Sequence, residues 1–270
     1  RVGDLIWAAG DIQARGFLIG GTSGRTTLNG EGLQHEDGQS QIMAANVPNC
    51  ISYDPTFAYE LMVIIQNGLK RMFENQENVF YYITTLNENY PHPEMKKGQE
   101  DNIIKGMYLF QQGGKESKRV QLMGSGSILR EVIAAANILA EDFGVQADVW
   151  SCPSFNELKR DGDDCVRWNL MHPDQKPRIP HVTACLEKHS GPVVAATDYV
   201  KLFADQIRAY VGRNYHVLGT DGFGRSDTRA SLRRHFEVNR YYVTVAALKT
   251  LADEGTIPAK TVKSAIRKYK

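Results

Sequence analysis

This 270-residue chain has few cysteines, no long apolar run and almost no surplus of charge, and each shortage excludes something. Cys50, Cys152, Cys165 and Cys185 form no CxxC pair and have no histidine at metal-ligand spacing. That argues against a disulfide framework or a zinc site and fits reduced thiols in a cytoplasmic protein. No apolar stretch approaches the roughly 20 residues that a membrane helix needs, so no membrane partner is expected. The 32 basic side chains face 31 acidic ones, for a net charge of +1, which leaves no electrostatic footprint for nucleic acid. Phosphate-binding loops are missing too: neither GxGxxG nor GxxxxGK[ST] spacing occurs. Arg1 is not a start methionine and no signal peptide follows it, so a piece of a longer protein is expected.

What is present reads as a soluble α/β protein, with 42% apolar and 23% charged residues, enough for one large domain or two ordinary ones. Residues 3–13 place Leu5, Ile6, Ala9 and Ile12 at helical spacing, and residues 17–20 form a short strand. A second strand spans residues 49–53. Asp54-Pro55 then reads as a helix start, a capping carboxylate before a proline at the first helical position. The helix that follows carries Phe57, Leu61, Ile64, Ile65, Leu69, Met72 and Phe73 as one apolar stripe, and residues 79–85 form a third strand buried on both faces. Residues 88–118 hold Pro91, Pro93, Gly98, Gly113 and Gly114 among charges and read as a linker, interrupted by a strand-like 106–111. Beyond it come strand 119–123, helix 127–143 closed by Gly144, strand 145–150, an irregular stretch, strand 193–196, helix 198–211, strand 215–218 and three helices. Strands alternating with helices predict parallel sheets covered on both faces.

The stretch from Gly21 to Gly38, GTSGRTTLNGEGLQHEDG, stands apart. Five glycines in eighteen residues rule out a helix or a long strand. Yet it gathers Arg25, Glu31, His35, Glu36 and Asp37 directly after a buried strand, where catalytic groups tend to sit. His35 is the side chain there whose ordinary pKa lies near neutrality. Glu31, four residues earlier, reads either as its neighbour in a site or as a solvated acid; Glu36 and Asp37 read as caps of a following helix or as water-facing acids.

This loop, with VPNCISYDP (47–55), YYITTLNENY (81–90), LMGSGSILREV (122–132) and LGTDGFGRSD (218–227), closely resembles the bacterial homodimeric pyruvate dehydrogenases. These are the thiamine-diphosphate-dependent decarboxylating components of the pyruvate dehydrogenase complex. The resemblance runs in order along essentially the whole chain and implies a carboxy-terminal portion of such an enzyme. It implies parallel-sheet sandwich domains of the transketolase-like type: the end of the pyrimidine-binding domain (1–87), a linker (88–118) and the carboxy-terminal domain (119–270). It implies His35 as a catalytic residue near the thiazolium of the cofactor, and Glu31, by its place in the same loop, is the second catalytic candidate. It also implies a homodimer, pyruvate as substrate, and the dihydrolipoyl acetyltransferase component with its lipoyl domain as partner. Transketolases and other 2-oxo acid dehydrogenases share the fold and are the alternatives among enzymes; a non-catalytic dimerisation module is the alternative outside them.

The family's GDG…N signature for Mg²⁺ and diphosphate is missing, because Asp161-Gly162-Asp163 and Asp221-Gly222 lack its context. The glutamate that activates the cofactor is expected before Arg1, so no metal ligand is expected in this chain, which should be inactive alone. Gln39 and Gln41 stand where the family commonly has histidines, which removes a titrating group from both positions. Gly124-Ser125-Gly126-Ser127 reads as a tight turn, Asp221 and Arg225 as structural or interfacial, and the six other histidines as ordinary. Tyr241, Tyr242 and Val243 are candidates for a self-association surface in the carboxy-terminal domain.

Overall fold

The computed structural model describes all residues except 1, 2, 22, 34 and 270, so Thr22 and Gln34 of the glycine-rich loop lie outside it. The first part of the chain runs α1 (Gly3–Asp11), β1 (Phe17–Gly20), α2 (Ser40–Ala45), β2 (Cys50–Tyr53), α3 (Ala58–Leu69) with a π-helical turn at Lys70–Glu74, and β3 (Phe80–Thr84). Its three strands form a parallel sheet in the order β1-β3-β2. The second part runs α4 (Glu100–Ile104), β4 (Tyr108–Gln111), β5 (Arg119–Gly124), α5 (Ile128–Phe143), β6 (Gln146–Ser151), α6 (Phe155–Met171), α7 (His181–Leu186) and β7 (Val193–Ala196). It continues through α8 (Leu202–Asp205), α9 (Arg208–Val211), β8 (Tyr215–Leu218), α10 (Arg229–His235), α11 (Arg240–Asp253) and α12 (Ala259–Tyr269). Its sheet has the order β4-β6-β5-β7-β8, parallel except for β4, which runs antiparallel on β6.

Alternation along the strands of the second sheet divides its core in two. Val120, Leu122, Val149, Val194 and Leu218 face α5 and α11. Met123, Trp150, Val193, Ala195 and Val217 face the layer of Phe155, Leu158, Val182 and Phe203. Four elements depart from the sequence expectation. Asp54-Pro55 does not start the helix: α3 begins at Ala58, and Glu60 reaches back to accept the N–H groups of Thr56 at 2.5 Å and Phe57 at 3.1 Å. Asp54 is drawn instead toward the second sheet, as described below. The irregular stretch contains the 17-residue helix α6, capped by Ser154, whose Oγ accepts the Glu157 N–H. Asp161-Gly162-Asp163 sits inside it, and Gly162 is required there because a Cβ would meet the ring of Tyr210. The expected helix 198–211 is two single turns, because Asp198 is pulled out of helical register by the glycine-rich loop. Finally, β4, inside the expected linker, is hydrogen-bonded into the second sheet. All four cysteines are free thiols, and among the described residues no helix is long and apolar enough to cross a membrane.

Candidate functional site

The carboxyl ends of the two sheets meet, and the glycine-rich loop lies across the junction. Leaving β1, the loop is tied first to the end of β3, where the Thr85 N–H donates to Gly20 O at 2.9 Å and Ser23 Oγ donates to Thr85 O at 2.5 Å. It then crosses to the end of β7. The backbone and hydroxyl of Thr26 donate to Asp198 Oδ1 at 2.9 and 2.7 Å, and Thr27 Oγ1 donates to Asp198 Oδ2 at 2.6 Å. Gly24 adopts φ +82° against this carboxylate, where a side chain would collide. Asp198 is fully buried, and burial pushes its pKa up against the hydrogen bonds of the two threonines.

The rest of the loop is held by the turn that follows β8, residues 219–227. Arg25, only 5% exposed, donates to Thr220 O at 3.0 Å and to Gln39 Oε1 at 3.1 Å. Gly30 N–H donates to Asp227 O at 3.1 Å. Glu36 Oε2 accepts the Arg225 N–H at 2.6 Å. The side chain of Glu36 lies over Gly224, where any Cβ would meet it. Burial therefore raises the Glu36 pKa, opposed by the Arg225 N–H. This corrects the reading of Glu36 as a cap or a solvated acid: Asp37 alone takes the capping task, accepting the N–H groups of Gln39 and Ser40 at 3.0 and 2.9 Å. Arg225 contributes through its backbone, and Asp221 accepts the Lys201 N–H at 2.8 Å. Sequence spacing carried no signal for the contact of Glu36 with Arg225, which joins residues 189 positions apart.

On this pinned loop the structure brings the two predicted residues together. His35 Nδ1 lies 3.1 Å from Glu31 Oε2, with both side chains about half exposed. A carboxylate on Nδ1 orients the ring and leaves Nε2 as the free atom, a donor when the ring is charged and an acceptor when it is neutral. Gln39 and Gln41 are not part of this pair. Gln39 is tied to Arg25, and Gln41 is fully buried, donating to Tyr53 O at 3.1 Å and Thr84 Oγ1 at 3.3 Å.

A second buried junction lies at the ends of β2, β3 and β5. Asp54 accepts hydroxyl hydrogen bonds from Thr84 and Ser125, both at 2.8 Å, and its backbone carbonyl accepts the Gly126 N–H at 3.1 Å. Complete burial pushes its pKa up to about 7, with the two hydroxyls opposing. The Gly124–Ser127 turn is thus a tight strand-to-helix connection whose hydroxyls grip the residue after β2, Asp54, through Ser125 and the glycine-rich loop, at Thr27, through Ser127. Of the expected self-association residues, Val243 is fully buried in the core. His181 and His189 serve local bonds, to Met107 O and Asp148. Among the described residues no group of three or more His, Cys, Asp or Glu side chains could hold a metal ion. No step is therefore assigned to a metal on these residues.

Comparison with known proteins follows the same division. Residues 1–93 match the model of the pyruvate dehydrogenase E1 component middle domain, and residues 106–239 that of the transketolase-like C-terminal domain. The chain is 62% identical along its whole length to the pyruvate dehydrogenase E1 component of Cupriavidus necator, and 60% to that of Escherichia coli, spanning 30% of each. Among solved structures it is similar to transketolase from Leishmania mexicana, with TM-score 0.66 and 16% identity over 94% of this chain and 33% of that one. Transketolase from Campylobacter jejuni gives TM-score 0.61 and 18% identity over 92% and 34%. Identities this low establish a shared fold and do not favour transketolase activity. On its sequence and its fold, the chain belongs to the pyruvate dehydrogenase E1 component family.

Proposed function

We propose that the protein containing this chain decarboxylates pyruvate with thiamine diphosphate and Mg²⁺ and reductively acetylates the lipoyl group of the dihydrolipoyl acetyltransferase component. The observation that carries this reading is the His35–Glu31 pair, presented at the sheet junction on a loop that both sheets hold. Thiamine diphosphate, when bound, supplies the electron sink that decarboxylation needs; its diphosphate and metal would be held by residues beyond this chain. His35 Nε2 donates to negative charge developing on the reacting oxygen, a donor of a kind typically worth a few kcal/mol in a partly dry site. It also moves a proton as the acetyl group leaves. Glu31 holds the ring orientation.

The same reading makes the protein a homodimer that works in the bacterial cytoplasm, in keeping with its bacterial relatives and four free thiols. We divide the chain into domains at the 88–118 segment, with β4 belonging to the second by its pairing. The test is complex-dependent NADH production by the full-length protein. Pyruvate should support it only when thiamine diphosphate and Mg²⁺ are present. Turnover of another 2-oxo acid in place of pyruvate, or of a ketose phosphate, would overturn the proposal.

A further inference from the structure

Beside the start of the His35 loop, where Thr27 O accepts from Arg229 at 2.8 Å and Thr26 Oγ1 from Arg233 at 3.3 Å, the second sheet carries a cavity of about 650 Å³, a size usual for small-molecule sites. It lies between the first turn of α5, which starts directly after β5, and the beginnings of α10 and α11. The crevice outside the carboxyl ends of a parallel sheet, beside the strand where the winding reverses, is where open α/β sheets take ligands. β5 is that strand here, with β6 on one side and β7 on the other.

Arg130, Arg229, Arg233, Arg234 and Arg240 line the cavity. Only two carboxylates oppose them. Glu88 holds Arg130 at 2.7 Å and also Arg233, and Glu131 holds Arg240 at 2.9 Å. Arg233 is buried with the two acids, at 7% exposure against 14% and 8%, while Arg130 and Arg240 reach outward at 34% and 43%. The acids therefore fix the guanidinium groups without neutralising the cavity, since arginine stays charged at any working pH. Fixed guanidiniums lower the ordering cost of binding, and their planar fork matches phosphate oxygens. Arg234 is exposed at the rim and pairs with no carboxylate among the described residues.

One wall is aromatic. The rings of Tyr241 and Tyr269 stack 4.9 Å apart, and both line a small apolar notch with Val245 and Ile266 that adjoins the arginines. We propose that this cavity binds a phosphorylated ligand with an aromatic ring, of the nucleoside di- or triphosphate class, its phosphates among Arg130, Arg234 and Arg240 and its ring against Tyr241 and Tyr269.

The test is calorimetric titration of the full-length protein, saturated beforehand with thiamine diphosphate and excess Mg²⁺ so that the cofactor site cannot take the probe. ADP should bind saturably and more weakly as salt rises. Adenosine and inorganic pyrophosphate should each bind more weakly than ADP. Arg234→Glu changes an exposed side chain and should weaken ADP binding about 10-fold or more, the equivalent of one lost charge-assisted contact. Tyr241→Ala should weaken ADP but leave pyrophosphate unchanged. No saturable heat with ADP, or equal ADP affinity in Arg234→Glu, would overturn the proposal. Neither readout depends on turnover.

Discussion

The two sheets bury their apolar residues very differently. In the three-stranded sheet, β1 is an edge strand and not the buried strand its sequence suggests: Leu18 and Ile19 are 40% and 53% exposed, and Leu5, Trp7, Met62 and Phe73 nearby are exposed as well. The five-stranded sheet has a closed core on both faces, and its central strand β5 keeps Val120, Leu122 and Met123 at zero exposure. The His35 loop starts from the first sheet but takes most of its anchors from the second: Asp198, Thr220, Arg225 and Asp227. A glycine-rich loop on the more exposed part, held by turns of the part with the closed core, follows the general division between functional loops and stable scaffold.

The largest expected effect lies in the scaffold. Leu122→Ala should destabilise the full-length protein by about 2–5 kcal/mol, as truncations in closed cores do. Leu18→Ala on the exposed edge should cost less than about 1 kcal/mol. Urea midpoints of the two variants check the contrast, which breaks if they shift equally. His35→Ala should do the reverse, lowering turnover on the order of 10²-fold while leaving the urea midpoint and cofactor affinity unchanged. A rate close to wild type in complex-dependent NADH production would remove His35 from the chemistry.

A smaller and pH-dependent effect belongs to Asp54, at the junction itself. Its folded pKa of about 7 stands above the ordinary carboxylate range, so the folded protein keeps a proton that the unfolded chain has released. The stability this contributes is complete below about pH 4 and is lost as pH rises through about 7. In Asp54→Asn that decline should flatten, because the amide can accept from Thr84 and donate to Ser125 at every pH. Urea midpoints from pH 4 to 8 that decline as in the parent would contradict it.

Much of this architecture is legible in the sequence because it rests on local pattern. β1, β2, β3, β5, β7 and β8 follow from runs of apolar and β-branched residues, and α5 from its spacing and the closing Gly144, which takes φ +60°. The pairing of His35 with Glu31 was legible as a crowd of titratable groups after a strand. Helix α6 was missed because Gly162 and its acidic neighbours look like a loop, although Ser154 with Glu157 three residues on is a helix-start pattern. Asp54 and Glu36 were misjudged, and Asp198 was passed over at the start of an expected helix, for one shared reason. Each resembles a cap or a solvated acid locally, and each is buried by a partner 70 or more residues away. Long-range burial of a carboxylate leaves no trace in spacing.

The most direct test of the borrowed anchor is Arg25→Met, which removes the guanidinium between Thr220 O and Gln39 while keeping His35, Glu31 and the buried aliphatic length. Full-length protein should then lose turnover roughly 10-fold or more through misplacement of an otherwise intact loop, with the affinity for thiamine diphosphate and the urea midpoint close to the parent's. Unchanged turnover in Arg25→Met would mean that the Thr220 anchor does not set the loop's working position.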